Sequence, residues 1–296
     1  MILVVGSANL DFVIRTPVIP AAGETVLGRD YRAFPGGKGA NQAVACARAG
    51  AVPTAMALAL GEDGFAAVLE SSLREAGVTP HIMRTNKRST GVAFICVSED
   101  AENAIVVCAG ANDVLSPDVL PPLDDFTHVL LQLETPLSTV TEVARAAKEK
   151  GLQVVLNAAP AQPLPAELLA LLDVLIVNEL ELQVVAGKTG SVESLLRHID
   201  VPLVVVTLGG KGCQARHGDR LLAQPGFVVP VVDTTAAGDT FCGVLTATLA
   251  AGGSVDEGLK AANAAAALAC TRHGAQPSIP TQAELRAFLA QPQRLV

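Results

Sequence analysis

Aromatic side chains are scarce in this 296-residue chain: tryptophan is absent, and aromatic residues together make up 3% of the sequence. Half of the residues are nonetheless hydrophobic, so the core has to be built mainly from alanine, valine and leucine. A chain of this length can bury a sizeable core. Small and branched aliphatic residues suit parallel strands covered by helices, and they disfavour an aromatic-rich β-sandwich.

Basic stretches and long apolar runs are also missing. The formal net charge is -8 at pH 7 and the lysines and arginines are scattered, which disfavours nucleic acid as a partner because a polyanion needs a basic stripe. Glycine, threonine or charged residues interrupt every apolar run before it reaches membrane-spanning length. The N-terminal stretch MILVVGSANLD lacks the basic and long apolar segments of a signal peptide. We therefore predict a soluble, cytoplasmic protein without a membrane partner.

Several common site signatures are absent. None of the six cysteines forms a CxxC pair, so we interpret them as buried free thiols rather than as zinc ligands or disulfides. The chain has neither the P-loop pattern GxxxxGKS/T nor HExxH, which excludes a P-loop enzyme and disfavours a histidine-built metal site. Residues 210–215 match GxGxxA, but the polar, glycine-broken sequence that follows predicts a hairpin. A dinucleotide-binding dehydrogenase is therefore disfavoured.

Strand-like and helix-like segments alternate along most of the chain. This alternation predicts an α/β fold: a doubly wound, mostly parallel sheet flanked by helices. Two stretches, approximately residues 11–35 and 90–112, break it with strand-forming residues punctuated by proline, glycine or a polar turn. We expect both to be inserted in one unit spanning residues 1–296 and to form a small β-sheet that covers a site as a lid.

The stretch DTTAAGDTFCGVL, residues 233–245, combines an anion site with a carboxylate. A helix beginning near Ala237 leaves the N–H groups of its first turn unpaired, so those of Ala236, Ala237 and Gly238 could converge on an anion. Beside a bound phosphate, Asp239 could accept a proton from an attacking hydroxyl. The alternative is an ordinary helix start in which Asp239 only satisfies backbone donors.

Two further stretches place polar residues at the start of a predicted helix. FPGGKGANQAV, residues 34–44, puts Lys38 and Asn41 after a glycine-rich turn, which is equally compatible with phosphate or hydroxyl binding and with a simple strand-to-helix turn. VNELE, residues 177–181, spaces Asn178 and Glu181 to face one site, where they could hold a hydrated Mg²⁺ and phosphates. Taken alone, the second stretch is better explained by an ordinary N-cap with acidic residues that favour the helix dipole.

Polar residues also follow two other strand patterns. GSANLD places Asn9 and Asp11 just after the first strand, where the pair suits bidentate contacts to vicinal hydroxyls. QLETP places Glu134 at another strand end. Each could instead be a turn former or a favourable charge in the first turn of a helix.

Together, GGKGAN and DTTAAGDTF resemble the two signatures of the PfkB carbohydrate kinase family. Further stretches occur in the same order along the chain as in the ribose-phosphorylating members of this family, so the resemblance covers nearly the whole chain. They are GSANLD, STGVAFI, QLETP, VNELE and VTLG. It implies a ribokinase-like fold with a small β lid, and a homodimer formed through the lid strands. It implies phosphorylation of the 5-hydroxyl of D-ribose by ATP, with Mg²⁺ and with K⁺ as the activating monovalent cation.

By position, the resemblance assigns Asp239 as catalytic base and the helix start at Ala236, Ala237 and Gly238 as anion hole. The sugar would contact Asn9, Asp11, Gly37, Lys38, Asn41, Glu134 and Asp239. The nucleotide would lie along Asn178, Glu181, Thr207, Gly209, Gly212, Gly238 and Asn263. The monovalent cation would be held, largely through backbone carbonyls, by Asp233, Thr235, Ala269, Arg272, Gly274 and Ser278.

Two other functions fit the same sequence. The first is a sister kinase for deoxyribose, a nucleoside or another sugar, against which Asn9 favours a substrate with a full set of hydroxyls. The second is a catalytically silent sugar-binding or regulatory protein on the same fold. The presence of Asp239 beside its anion hole argues against silence.

Overall fold

Two separate β-sheets organise the chain, whose computed structural model describes residues 1–100, 102–292 and 294–296. Ala101 belongs to the segment 90–112 that we expected in the lid, and it lies outside the described residues. The strands of the larger sheet are β1 Ile2–Val5, β4 Thr54–Gly61, β5 Val78–Thr85, β8 His128–Leu131, β9 Gln153–Asn157, β10 Val174–Asn178, β11 Leu203–Thr207, β12 Gly212–His217 and β13 Arg220–Pro225. Those of the smaller sheet are β2 Asn9–Arg15, β3 Asp30–Gly36, β6 Gly91–Val97 and β7 Asn103–Cys108.

The larger sheet has the order β13-β12-β11-β10-β9-β8-β1-β4-β5. The strands from β11 to β5 in this order pair in parallel. β12 and β13 form an antiparallel hairpin at one edge, as the polar, glycine-broken sequence after residue 210 predicts. The expected doubly wound sheet is therefore confirmed.

Helices cover both faces of the larger sheet, so its strands are apolar on both sides. On β1, Ile2 and Val4 pack into one core cluster, and Leu3 and Val5 pack into the other. The first cluster receives α1 Lys38–Arg48, α2 Gly64–Glu75, α7 Ala237–Ala250, α8 Val255–Ala269 and α9 Gln282–Ala290. The second receives α3 Leu137–Glu149, α4 Ala166–Leu169, α5 Glu179–Ala186 and α6 Val192–His198.

The smaller sheet has the order β3-β2-β6-β7, as expected for a separate set of strands from the two interrupting stretches. Phe12 on β2 stacks on Phe94 of β6 with ring centroids 5.5 Å apart, and it meets Phe65 of α2 edge-on at 5.6 Å. These contacts attach one face of the sheet to the α/β unit. The edge strand β7 is exposed along its whole length.

At β1 the side of the larger sheet on which successive strands are added changes, while the strands stay parallel. From β1 the chain continues to β4 and β5 on one side, whereas β8, β9, β10 and β11 follow on the other. Open α/β sheets bind ligands at the carboxyl ends of strands at such a reversal point. Within the described ranges, no helix is both long and apolar enough to cross a membrane.

Candidate active site

The start of α7 presents unpaired backbone donors. The helix begins at Ala237, as predicted, and Ala236 at the N-cap adopts a left-handed conformation with φ 59°. No side chain caps this end, because alanine has no acceptor to offer. Among the described residues, the N–H of Ala237 donates to the Thr234 carbonyl at 3.2 Å, while those of Ala236 and Gly238 have no acceptor. Two of the three expected donors are therefore free for an anion, and the third closes a turn.

Asp239 lies one residue further along α7 and is only 8% exposed. Its Oδ2 accepts a hydrogen bond from Asn41 Nδ2 at 2.9 Å, and its Oδ1 accepts one from Gln42 Nε2 at 3.0 Å. Both donors belong to side chains of α1, so the carboxylate does not act as an ordinary cap on its own helix. The two amides fix its orientation and leave each oxygen a lone pair for a further donor.

Asp11 on β2 pairs with Phe34 of β3, and its side chain lies over the neighbouring Gly36. A Cβ atom at position 36 would lie 2.0 Å from Asp11 Oδ2, so the carboxylate fits only because that residue is glycine. Burial, and secondarily the negative charges of Glu134 and Asp239, raises the pKa of Asp11 from 3.8 to about 7. Asp11 is therefore a carboxyl group that changes charge close to neutral pH.

Glu134 follows β8 and holds the start of α1. Its Oε2 accepts hydrogen bonds from Ser7 Oγ at 2.6 Å and from the backbone N–H of Lys38 at 3.1 Å. Ser7 Oγ in turn accepts the N–H of Gly39 at 3.3 Å. A carboxylate at this position also stabilises the positive end of the helix dipole. Glu134 thus contacts the first turn of α1 and has Ser7 as a partner, while its expected contact with the sugar stays a prediction.

Asn9 and Asn41 differ in what their side chains leave free. Asn9 Oδ1 accepts a hydrogen bond from Asn112 Nδ2 at 2.8 Å, so this oxygen is already engaged within the protein. Asn41 Oδ1 is buried and has no hydrogen-bond partner among the described residues. Gly37, at φ 87°, lets the chain pass beside Asn9, because a Cβ there would lie 2.7 Å from the Asn9 nitrogen. Asn41 is the stronger candidate for an additional polar contact.

Two adjoining cavities lie around these groups. The larger, about 640 Å³, lies between the smaller sheet and residues 231–235 and 273–275, and Asp11 lines it. The smaller, about 240 Å³, lies at the carboxyl ends of β9, β10 and β11, and Asp239 lines it. Thr234 lines both. Asp239 is thus close to the place where the two cavities meet.

The sequence profile of the pfkB family carbohydrate kinases matches residues 1–282. The chain belongs to this family. A ribokinase from Haemophilus influenzae is 41% identical, with 97% of each chain covered. The ribokinase structure from Thermotoga maritima superposes with a TM-score of 0.92 at 35% identity, covering 98% of this chain and 99% of that one. The Arabidopsis thaliana ribokinase complexed with ribose and ATP gives 0.90 at 33% identity, with the same coverage. The predicted family and fold are confirmed.

Lys38 lines the smaller cavity of the kinase fold, together with residues of the expected nucleotide set. The negative charge of Asp239 is the main reason why the pKa of Lys38 is raised, against the opposing effect of burial. Glu134 and Glu181 add to the increase. Lys38 lines this cavity together with Asn178, Glu181 and Asp239, and its expected contact with the sugar stays a prediction.

Asn178 and Glu181 form a reciprocal capping box at the start of α5. Asn178 Oδ1 accepts the N–H of Glu181, and Glu181 Oε2 accepts the N–H of Asn178, both at 2.8 Å. The N-cap interpretation is therefore correct for these two residues. Both also line the smaller cavity, with Thr207 and Gly238, so the capping role does not remove them from it.

Asn263 and Gly212, two further members of the expected nucleotide set, contact the hairpin β12–β13. Asn263 Nδ2 donates to the carbonyls of Gln224 and Pro225 at 3.1 and 3.2 Å, which ties α8 to β13. Gly212, at φ 97°, allows a close approach, because a Cβ there would lie 2.1 Å from the Gln224 carbonyl oxygen. Gly209, Gly212 and Asn263 do not belong to the lining of either cavity.

The expected cation loop is built around Asp233. Its Oδ1 accepts the N–H and Oγ–H of Thr235 at 2.9 and 2.6 Å, and its Oδ2 accepts the N–H of Gly274 at 2.9 Å. Burial opposes ionisation, but these hydrogen bonds outweigh it and hold the pKa of Asp233 below its usual range. Arg272 pairs with Glu284 at 2.6 Å. Nowhere in the described ranges do three or more His, Cys, Asp or Glu side chains cluster as metal ligands.

Three buried amides behind Asp239 were not anticipated from the sequence. Gln42 Nε2, besides contacting Asp239, donates to Asn157 Oδ1 at 3.0 Å. Gln42 Oε1 accepts from Gln132 Nε2 at 2.8 Å. Asn157 ends β9 and Gln132 follows β8, so these polar residues at strand ends were the available signal.

Proposed function

We propose that the chain is a ribokinase: it transfers the γ-phosphoryl group of ATP to the 5-hydroxyl of D-ribose and yields D-ribose 5-phosphate. The observation that carries the proposal is Asp239, held by two amides directly beside unpaired N–H groups at the start of α7. The similarity to ribokinases, one of them complexed with ribose and ATP, supports both substrates.

On the sugar side, D-ribose binds in the larger cavity beneath the smaller sheet. Asp11 accepts sugar hydroxyls there, and Asn41, whose Nδ2 binds Asp239 and whose Oδ1 has no partner among the described residues, accepts another beside Asp239. Asp239 is the general base: it receives the proton of the attacking 5-hydroxyl through a lone pair that its amide partners leave free. Glu134 supports the site through the start of α1.

On the nucleotide side, the phosphates of ATP enter the smaller cavity. The N–H groups of Ala236 and Gly238 and the ammonium of Lys38 face the charge that develops on the transferred group. Phosphoryl transfer passes through a loose transition state, so positioning and charge neutralisation dominate and a strong base is unnecessary. A carboxylate held in line, such as Asp239, is sufficient.

The donor set around the smaller cavity fits Mg²⁺ that retains most of its water. Glu181 Oε2 is committed to the capping box, which leaves Oε1 as one carboxylate ligand, and Mg²⁺ bound with nucleotides commonly uses only one or two carboxylates. When bound, the ion neutralises phosphate charge. K⁺ would bind between residues 233–235 and residue 274. The hydrogen bond from the N–H of Gly274 to Asp233 Oδ2 brings these two loops together, and their backbone carbonyls would hold the ion.

The smaller sheet acts as the lid and as the dimer contact. Closing it over the sugar excludes water, which would otherwise compete as phosphoryl acceptor. The edge strand β7 exposes Ile105, Val106 and Val107 by 55%, 63% and 51%. Exposed apolar edge strands pair with other strands, and a second copy of this sheet offers a suitable partner.

An ADP-release assay tests the reaction with ribose, deoxyribose, fructose and nucleosides, each in K⁺ and in Na⁺. We expect ribose in K⁺ to give the fastest turnover, and Asp239→Asn to lower kcat by about 10²–10⁴-fold while the protein stays folded. Turnover of another substrate without ribose turnover would indicate a sister kinase. No turnover with any sugar would indicate a silent binding protein, and near-normal turnover by Asp239→Asn would exclude Asp239 as base.

A further inference from the structure

Gln42 is completely buried and lines neither cavity. Its side chain nevertheless contacts the carboxylate of Asp239 at 3.0 Å. It is therefore isolated from both substrate spaces and can influence the reaction only through its neighbours. The kinase reaction proposed above does not use it.

The orientation of the Gln42 amide is fixed by its neighbours. A carboxylate accepts hydrogen bonds and does not donate them, so the NH₂ group must face Asp239 Oδ1. The same nitrogen reaches Asn157 Oδ1 at 3.0 Å, and Asn157 Nδ2 donates to the Ile176 carbonyl at 3.2 Å. If the Gln42 amide were flipped, its oxygen would face two acceptors, which is unfavourable.

A third amide locks the other side of Gln42. Gln132 Nε2 donates to Gln42 Oε1 at 2.8 Å and lies 3.4 Å from the Leu130 carbonyl. Gln132 is itself completely buried, and Gly6 leaves room for it, because a Cβ at position 6 would lie 1.9 Å from Gln132 Oε1. The set Gln132, Gln42 and Asn157 is hereafter the amide relay.

The geometry points to Gln42 as the residue that positions the Asp239 carboxylate for proton transfer, with the amide relay fixing the direction of its donor. Asn41 holds only Oδ2, so without Gln42 the carboxylate can rotate about its side-chain bonds. A misplacement of about 1 Å can cost about 10²-fold in rate. The inference rests on the proposed kinase reaction with Asp239 as base.

The first test is Gln42→Met, which keeps the length of the side chain and removes both donors. We expect kcat to fall about 10- to 100-fold, while KM for ATP and for ribose stays within about threefold because Gln42 touches neither cavity. Thr139→Val is the matched control: Thr139 is buried on α3 and donates to the Leu115 carbonyl at 2.7 Å. This control should lower the urea midpoint without changing kcat.

The second test is the pH dependence of Gln42→Glu. When protonated, the carboxyl group introduced at position 42 can donate to Asp239, whereas its ionised form places a second negative charge against that residue. We expect the kcat ratio of variant to wild type to rise at least about tenfold from about pH 8 to about pH 6. The other titratable groups that face this region are present in both proteins, so the kcat ratio reports the effect of position 42 alone. These groups are Asp11, Lys38, Cys46, Glu134, Glu181 and Cys242.

Each outcome decides one of the two proposals. The absence of ribose-dependent ADP release by the wild-type protein would refute the proposed function. If the wild type is active, two results with Gln42→Met would overturn the positioning role. One is a kcat within about twofold of the wild-type value. The other is an increase of both KM values in proportion to the loss of kcat. If Gln42→Met does not fold, a pH-independent kcat ratio for Gln42→Glu overturns it instead.

Discussion

Replacing Asp11 by asparagine tests the electrostatic cost of the sugar side of the site. Because the pKa of Asp11 is about 7 in the fold and 3.8 in the unfolded chain, the folded protein binds this proton more tightly. The stabilisation of the fold by protonated Asp11 is fully present below about pH 4 and is lost as the pH rises through 7. At 1.36 kcal/mol per pKa unit the loss reaches about 4 kcal/mol. Asp11 is partly exposed, so solvent screening reduces this and we expect about 2 kcal/mol.

Asp11→Asn should therefore unfold at higher urea than the wild type at about pH 8, by about 2 kcal/mol, while it binds ribose less well. The advantage should disappear towards about pH 4. Far-UV circular dichroism is the suitable probe, because the chain has no tryptophan. Asp113→Asn, at an exposed carboxylate, should change the unfolding free energy by less than about 0.5 kcal/mol. An Asp11→Asn variant that is no more stable at pH 8, or equally more stable at every pH, would refute the reasoning.

Three further outcomes follow from single contacts. Lys38→Met should lower kcat about 10- to 100-fold, because a charge-assisted contact to the transferred group is lost, while KM for ribose is retained; a KM for ribose raised as much as that for ATP would contradict a role on the nucleotide side. Gly6→Ala should destabilise the fold by about 1–3 kcal/mol in urea titrations, since its Cβ would displace Gln132, and unchanged stability would contradict that packing. In a thiol titration with a disulfide reagent, the exposed Cys108 should react rapidly. Cys46 should react only on unfolding, because it is buried and burial raises the pKa of its thiol. Rapid labelling of both cysteines would contradict this expectation.

Local patterns were sufficient to predict the architecture. The helix at Ala237, the hairpin after residue 210 and the strands of the smaller sheet all depend on neighbours in the sequence: an uncapped glycine-alanine turn, glycine breaks and runs of β-branched residues. The parallel sheet follows because such strands are connected by helices. These signals are short-range, so the sequence displays them directly.

The contacts within the site depend on long-range geometry, and there the sequence was less informative. Asn178 and Glu181 satisfy both the capping pattern and the binding pattern, and the structure uses them for the first while leaving them beside the smaller cavity. Asn263 Nδ2 binds backbone carbonyls of β13, a contact the sequence did not indicate, and its expected place at the nucleotide stays a prediction. The relay residues Gln42 and Gln132 are 90 positions apart, and an amide has no distinctive spacing, so nothing in the sequence identifies their contact.

In the proposed reaction, the single helix α7 supplies both the amides that face the phosphate and the proton acceptor. Ala236 and Asp239 are three residues apart at its first turn, so the rise of an α-helix, about 1.5 Å per residue, sets their separation along the axis. Asp11, by contrast, comes from the other sheet. If the proposed site is correct, movements of the smaller sheet should change the position of the sugar without altering the spacing between the base and the phosphate-facing amides. Substitutions that loosen that sheet should weaken sugar recognition long before they disturb the chemical step.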